Sequence, residues 1–180
     1  MRVAHSPICC KRAWQSSESA PKVELMNLKR ILVGLDGSPR ESYVLAAADD
    51  LALRFNAQLL LVRAVGLPPE IPPEAWQDPK LSVKEYLEKK AHEGLEHCAQ
   101  RLSEPLRSRY ALEVVVATPW QALCMTAQAH EVDLIVIGSH GYGGLDRVLG
   151  TTAARVVNHA LCSVFVVRPP EARGVRTNDP

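Results

Sequence analysis

Leu134-Ile135-Val136-Ile137-Gly138-Ser139-His140-Gly141-Tyr142-Gly143-Gly144, followed by Leu149-Gly150-Thr151-Thr152, is the stretch on which the fold turns. An uninterrupted apolar run ends in a glycine-rich connection, and a second glycine with two hydroxyl residues opens what reads as a helix. The run does not alternate apolar with polar, so it suits a strand buried on both faces of a parallel sheet. Four more runs of this kind lie along the chain: Ile31–Leu35, Leu59–Val62, Val114–Ala117 and Val164–Val167. Each is expected to be covered on both sides.

Helical patterns separate the runs. Ser38, Pro39 and Glu41 are the elements of a capping box with proline at the first helical position. Val44, Ala47, Ala48, Leu51, Ala52 and Phe55 then form one apolar stripe. Val83, Tyr86, Leu87, Ala91, Leu95, Cys98 and Leu102 mark a second, longer helix. A third runs from Pro119 to Glu131 with Thr118 as its expected cap, and a fourth begins near Thr151 or Thr152. The alternation β-α-β-α-β-α-β-α-β predicts an α/β domain with an open five-stranded parallel sheet, Rossmann-like, with helices on both faces.

The chain has 180 residues, 23% charged and 47% hydrophobic, with a formal net charge of +1. This is enough for one domain. The charge balance offers no footprint for nucleic acid, and no apolar run approaches the length of a membrane span. Residues 1–26 lack an apolar signal core and read as a disordered leader, with Met26 as an alternative start. The domain is expected over 27–169 and a disordered tail over 170–180. Gly66 to Lys80 holds five of the thirteen prolines and Trp76, and reads as a stiff surface loop or lid. Five scattered cysteines make no CxxC pair, so neither a disulfide scaffold nor a zinc site is expected, and a cytoplasmic location is.

Ligands of open α/β sheets sit beyond the carboxyl ends of the strands. Glycines in the fourth connection let a ligand approach the main chain, and inward-pointing amides there make an anion nest. Gly150, Thr151 and Thr152 present amides and hydroxyls at a helix N-terminus, where the macrodipole favours phosphate. Asp36, ending the first strand, can accept from a ribose hydroxyl or hold Mg²⁺ on the phosphates. The loop is neither a Walker A motif nor GxGxxG. On spacing alone, a nucleotide cradle and a set of plain turns both remain open. Arg63 reads as a surface or dimer-contact residue, Arg147 as a phosphate or solvent-facing one. His92, His97, His130 and His159 show no metal-ligand spacing, and Ser139 lacks the context of a hydrolase nucleophile.

Ile31–Ser38, Val132–Gly141, Leu149-Gly150-Thr151 and Ser163–Pro169 together resemble the universal stress protein (UspA-like) family across residues 27 to 169. The resemblance implies an adenine nucleotide alpha hydrolase-like fold, a cytoplasmic homodimer formed through the last strand, Val164–Val167, and no membrane or nucleic-acid partner. One branch of that family binds ATP through G-x2-G-x9-G-[S/T]. Here Gly138-x2-Gly141 is intact, with eight residues rather than nine between Gly141 and Gly150. Carried over, Asp36 matches the acidic residue near ribose and Mg²⁺, and Ala64 the position beside adenine, which is usually larger. Gly34 and Leu35 belong to the same strand exit as Asp36. Ile137 and Gly138 would flank ribose or base, and His140, Gly141, Gly150, Thr151 and Thr152 would face the phosphates. The expected function is a dimeric, ATP-responsive regulator with at most slow hydrolysis. The alternatives are a nucleotide-free interaction protein and an adenylyl-transfer enzyme, which would lack its usual SGGxDS or HxGH stretch.

Overall fold

The computed structural model describes residues 27–66, 81–139 and 149–168. In chain order these form β1 (Arg30–Gly34), α1 (Glu41–Phe55), β2 (Gln58–Val65), α2 (Val83–Ala99), β3 (Tyr110–Val116), α3 (Pro119–Ala129), β4 (Leu134–Gly138), α4 (Thr151–His159) and β5 (Ser163–Val167). A short 3-10 turn, Glu104–Leu106, that the periodicity gives no sign of precedes β3. All four strand pairings are parallel, and the order across the sheet is β3-β2-β1-β4-β5. The expected leader, the tail, the proline-rich segment beyond Gly66, His140, Gly141 and Arg147 lie outside the described residues.

From β1 the chain steps outward to β2 and β3, then returns across the sheet to β4 and β5. Right-handed crossovers in opposite directions place their helices on opposite faces. Accordingly, Val44, Ala48 and Ala52 of α1 and Leu95 and Cys98 of α2 pack on Ile31, Val33, Leu59, Leu61 and Val136. Leu123 and Ala127 of α3 and Ala153 and Val156 of α4 pack on Leu32, Val62, Ile135 and Ile137. Ile31, Leu32, Leu61 and Ile135 are completely buried, each contributing about 1.5–3 kcal/mol through lost apolar exposure.

Burial on both faces is found for β1 and β4 and for most of β2, but not for β3 or β5, whose residues are half-buried or exposed. Both are edge strands, and the helices do not extend fully over them. Thus Phe165 and Val116 remain 45% and 41% exposed despite lying in strongly apolar runs.

The helix starts also depart from expectation. At α1 the residue before the helix is Arg40, and no side chain caps it. Ser38 and Glu41 do not form a box, because the Glu41 carboxylate accepts instead from the Gly37 amide and from Arg63. A full capping box exists at α2, where Ser82 Oγ accepts from the Glu85 amide and Glu85 accepts from the Ser82 amide. Thr118 occupies the cap position of α3, but its hydroxyl donates to the Gln121 side chain rather than capping the backbone.

Candidate functional site

Because β1 and β4 are neighbours whose crossovers leave to opposite faces, a crevice opens at their carboxyl ends, the switch point of such sheets. A cleft of about 360 Å³ lies there, within the roughly 300–1,000 Å³ usual for small-molecule sites. Its lining includes Pro119, the first residue of α3, and Thr151 and Thr152, the first two of α4, with Ser38 and Arg40 leading into α1. Three helix N-termini therefore meet at one space, each bringing the positive end of its dipole; Pro119 has no N–H, so the amides at the cleft wall are those of Thr151 and Thr152.

The floor is apolar: Val44, Val62, Ala64, Leu123 and Ile137. Gly34 is required by the packing beneath it. A Cβ there would stand 2.9 Å from Ile137 Cγ2 and 3.0 Å from Leu123 Cδ2. Gly37 turns the chain with φ +78, a conformation few residues other than glycine accept. Beside it, the Ser38 amide donates to Asp36 Oδ1 at 2.9 Å, forming an Asx turn. This keeps the Asp36 carboxylate on the cleft rim. One carboxylate supplemented by ligand phosphates is a donor set suited to Mg²⁺. Among the described residues, no group of three or more His, Cys, Asp or Glu is placed to hold a metal by itself.

Of the residues singled out from sequence, Gly34, Leu35, Asp36, Ala64, Ile137, Gly138, Thr151 and Thr152 line this one cleft. Gly150 directly precedes α4. Sequence reading missed Ser38 and Arg40, which lead into α1, Tyr43 and Val44 on its first turn, and Ser139 and Val167, which are joined by a Ser139 N–H to Val167 O bond of 2.9 Å. The spacing of Arg40, Tyr43 and Val44 (i, i+3, i+4) puts all three on one helical face and is the signal that would have found them.

Arg63 is not the surface residue that its place at a strand end suggests. Its side chain is 14% exposed and its Nη2 lies 2.8 Å from Glu41 Oε2. Alternation along β2 turns it away from the cleft floor formed by its neighbours Val62 and Ala64.

Cys98 is fully buried and its Sγ donates to Glu41 Oε1 at 3.3 Å. Burial, then the adjacent Glu41 carboxylate, push the thiol from its ordinary 9.0 up to about 11. Since the folded state holds this proton more tightly, the associated stability is complete below pH 9 and declines between pH 9 and about 11. Cys124 and Cys162 are also free and pushed upward by burial. Iodoacetamide at pH 7.5 is therefore expected to leave Cys98 unmodified in the native chain and to label it rapidly in urea. Rapid native labelling, read by peptide mass, would show that the thiol is not sequestered.

His130 Nε2 lies 2.9 Å from Glu113 Oε2, tying the end of α3 to β3. His159 packs its ring 4.8 Å from that of Trp120, holding α4 against α3. Neither histidine lines the cleft. Among the described residues, no helix is long and apolar enough to cross a membrane.

The model of the universal stress protein family matches residues 27–168. Universal stress protein A homolog 1 of Coxiella burnetii is 29% identical over 143 residues, covering 79% of this chain and 97% of that protein. UspA from Lactobacillus plantarum superposes with a TM-score of 0.61 at 29% identity, over 79% of this chain and 99% of that one. A universal stress protein in complex with cAMP superposes with a TM-score of 0.60 at 22% identity, over 79% of this chain and 98% of that one. With the doubly wound sheet, the cleft at its switch point and a family match spanning every described element, the chain belongs to the universal stress protein family.

Proposed function

We propose that the protein binds ATP with Mg²⁺ in the cleft and acts as a dimeric, nucleotide-responsive regulator in the cytoplasm. The observation that carries this reading is the convergence of three helix N-termini on a space with an apolar floor. An adenine needs a flat apolar seat, and phosphates need amides and positive dipole ends. Val62, Ala64, Leu123 and Ile137 supply the first, with Ala64 leaving more room than a larger residue would. Thr151 and Thr152 supply the second, with Gly150 ahead of them. His140 and Gly141 complete the phosphate side in this reading. Asp36 would contact ribose or Mg²⁺, whose role is to offset phosphate charge. The cAMP complex of a family member agrees with an adenine nucleotide in this fold.

The nucleotide-free reading draws on the eight-residue interval between Gly141 and Gly150. Calorimetry with Mg-ATP separates the two. The expected dissociation constant is in the micromolar range, about −8 kcal/mol at 1 μM. No heat at millimolar Mg-ATP would leave only the nucleotide-free interaction protein.

Dimerisation is proposed through β5. It is an edge strand with Phe165 45% exposed, and an apolar edge invites antiparallel pairing with its two-fold copy. Sedimentation should give twice the 19.8 kDa chain mass. Phe165→Lys, at a position outside both core clusters, should yield monomer with an unchanged circular dichroism spectrum. A wild-type monomer at micromolar concentration, or a dimeric Phe165→Lys, would place the contact elsewhere or nowhere.

A further inference from the structure

Glu41 is a junction of three elements. Its Oε2 accepts from Arg63 Nη2 of β2 at 2.8 Å and from the Gly37 amide at 2.8 Å. Its Oε1 accepts from Cys98 of α2 at 3.3 Å. The pair is largely out of solvent, at 14% exposed for Arg63 and 16% for Glu41. Gly94, one helical turn before Cys98, is where α2 crosses the guanidinium. A Cβ on Gly94 would stand only 2.2 Å from Arg63 Nη1, so glycine is what lets helix and cation lie together. The guanidinium also packs beneath the loop, with the position of a Gly37 Cβ 3.7 Å from Nη1.

This pairing is costly. Arg63 Nε is buried and has no hydrogen-bond partner among the described residues, and two charges have been taken from water. Apolar side chains of the same size would fill the space without that penalty. What apolar side chains cannot do is accept from the Gly37 amide, at the left-handed turn that carries Asp36, Ser38 and Arg40 to the cleft rim.

We propose that Arg63 and Glu41 are positioning residues for the nucleotide cleft: their buried ion pair, seated under Gly94, fixes the Gly37 amide and thereby the Asp36–Arg40 rim. The inference rests on the nucleotide reading above for its functional half and on the tether geometry for its structural half. Arg63 touches no ligand in this scheme. It holds the Glu41 carboxylate in one orientation, and the carboxylate holds the turn.

The test uses the full chain and the double variant Glu41→Met/Arg63→Met, a replacement that is neutral or stabilising for many buried pairs. Its melting temperature should match or exceed that of wild type. Hydrogen exchange at the Gly37 amide should accelerate by about tenfold or more, because its acceptor is gone. Mg-ATP affinity should fall by about tenfold as the rim loses its fixed geometry. Arg63→Lys keeps the carboxylate paired and discards the unpartnered Nε, so slow Gly37 exchange and affinity within about twofold of wild type are expected. If the double variant does not fold, Gly94→Ala serves in its place: alanine favours the helix but drives the guanidinium aside, with the same expected acceleration at Gly37. Unchanged Gly37 exchange in the folded double variant, or in Gly94→Ala, overturns the tether, whether or not nucleotide binds. Faster exchange with unaltered Mg-ATP affinity overturns its positioning role. A wild-type chain that binds no Mg-ATP overturns the nucleotide reading and, with it, the functional half of the inference, and the exchange measurement still decides the tether.

Discussion

Thr151→Glu is expected to weaken Mg-ATP binding by about 100-fold or more while leaving the melting temperature equal to or slightly above that of wild type. Thr151 is exposed and is the first residue of α4, on the cleft wall. A carboxylate in the first turn of a helix interacts favourably with the macrodipole, by about 0.3–1 kcal/mol. The fold therefore gains a little. The bound triphosphate, however, would meet a like charge at its own seat. Two unit charges about 4 Å apart repel by about 1 kcal/mol in water and about 4 kcal/mol at the effective dielectric near a protein surface. Several phosphate charges and the loss of the anion seat bring the expected weakening to about 100-fold or more, about 2.7 kcal/mol. Thr151→Ser, which retains the hydroxyl, is expected to bind like wild type. Calorimetry and thermal unfolding on the same preparations make the comparison. Equal affinity in Thr151→Glu and wild type would mean that phosphates do not lie at the start of α4. The opposed signs make this informative, since general loss of structure cannot imitate a stable protein with weakened binding.

Arg63→Met alone is expected to destabilise the domain by about 3–5 kcal/mol, because it leaves the Glu41 carboxylate buried without its cation. The remaining partners of that carboxylate are the Gly37 amide and the Cys98 thiol. Neither supplies a full positive charge. Adding Glu41→Met should restore the whole of the loss, so the two substitutions are strongly non-additive. Urea denaturation of wild type, both single variants and the double variant gives the cycle directly. A cost below about 1 kcal/mol for Arg63→Met would place the pair among solvent-screened contacts. Such a result would conflict with the 14% and 16% exposure of its two side chains.

The same residue shows where sequence reading loses sight of structure. Arg63 comes after a buried apolar run and carries a charge, and a charged residue at a strand end is usually solvated. Its burial depends on a carboxylate 22 positions earlier and a glycine 31 positions later, Glu41 and Gly94. Neither is marked by local pattern. Glu41 itself was legible as the glutamate of a capping box with Ser38, a motif whose residue types were present. The tertiary contact with Arg63 drew the carboxylate away. Conversely, the box at Ser82 and Glu85 formed as its residue types allow, because no buried cation competes there.

The lining of the candidate site was more legible than the core contacts around it. Asp36, Ala64, Ile137, Gly138, Thr151 and Thr152 belong to strand ends or to the connections that leave them, and they line one cleft. Strand exits locate a site because every parallel strand discharges its chain at the same edge of the sheet. They do not lead to Tyr43 or Val44, which enter the cleft from the side of α1.

Local periodicity and residue type, carried in the sequence itself, determined five strands alternating with helices, and hence a parallel sheet with right-handed crossovers. They did not determine the order β3-β2-β1-β4-β5. Apolar runs of similar length satisfy the burial demand of several strand orders, so the choice rests on side-chain packing between segments far apart in the chain. That choice alone put β1 beside β4, brought three helix starts to one crevice, left Phe165 and Val116 on exposed edges, and enclosed the Arg63–Glu41 pair.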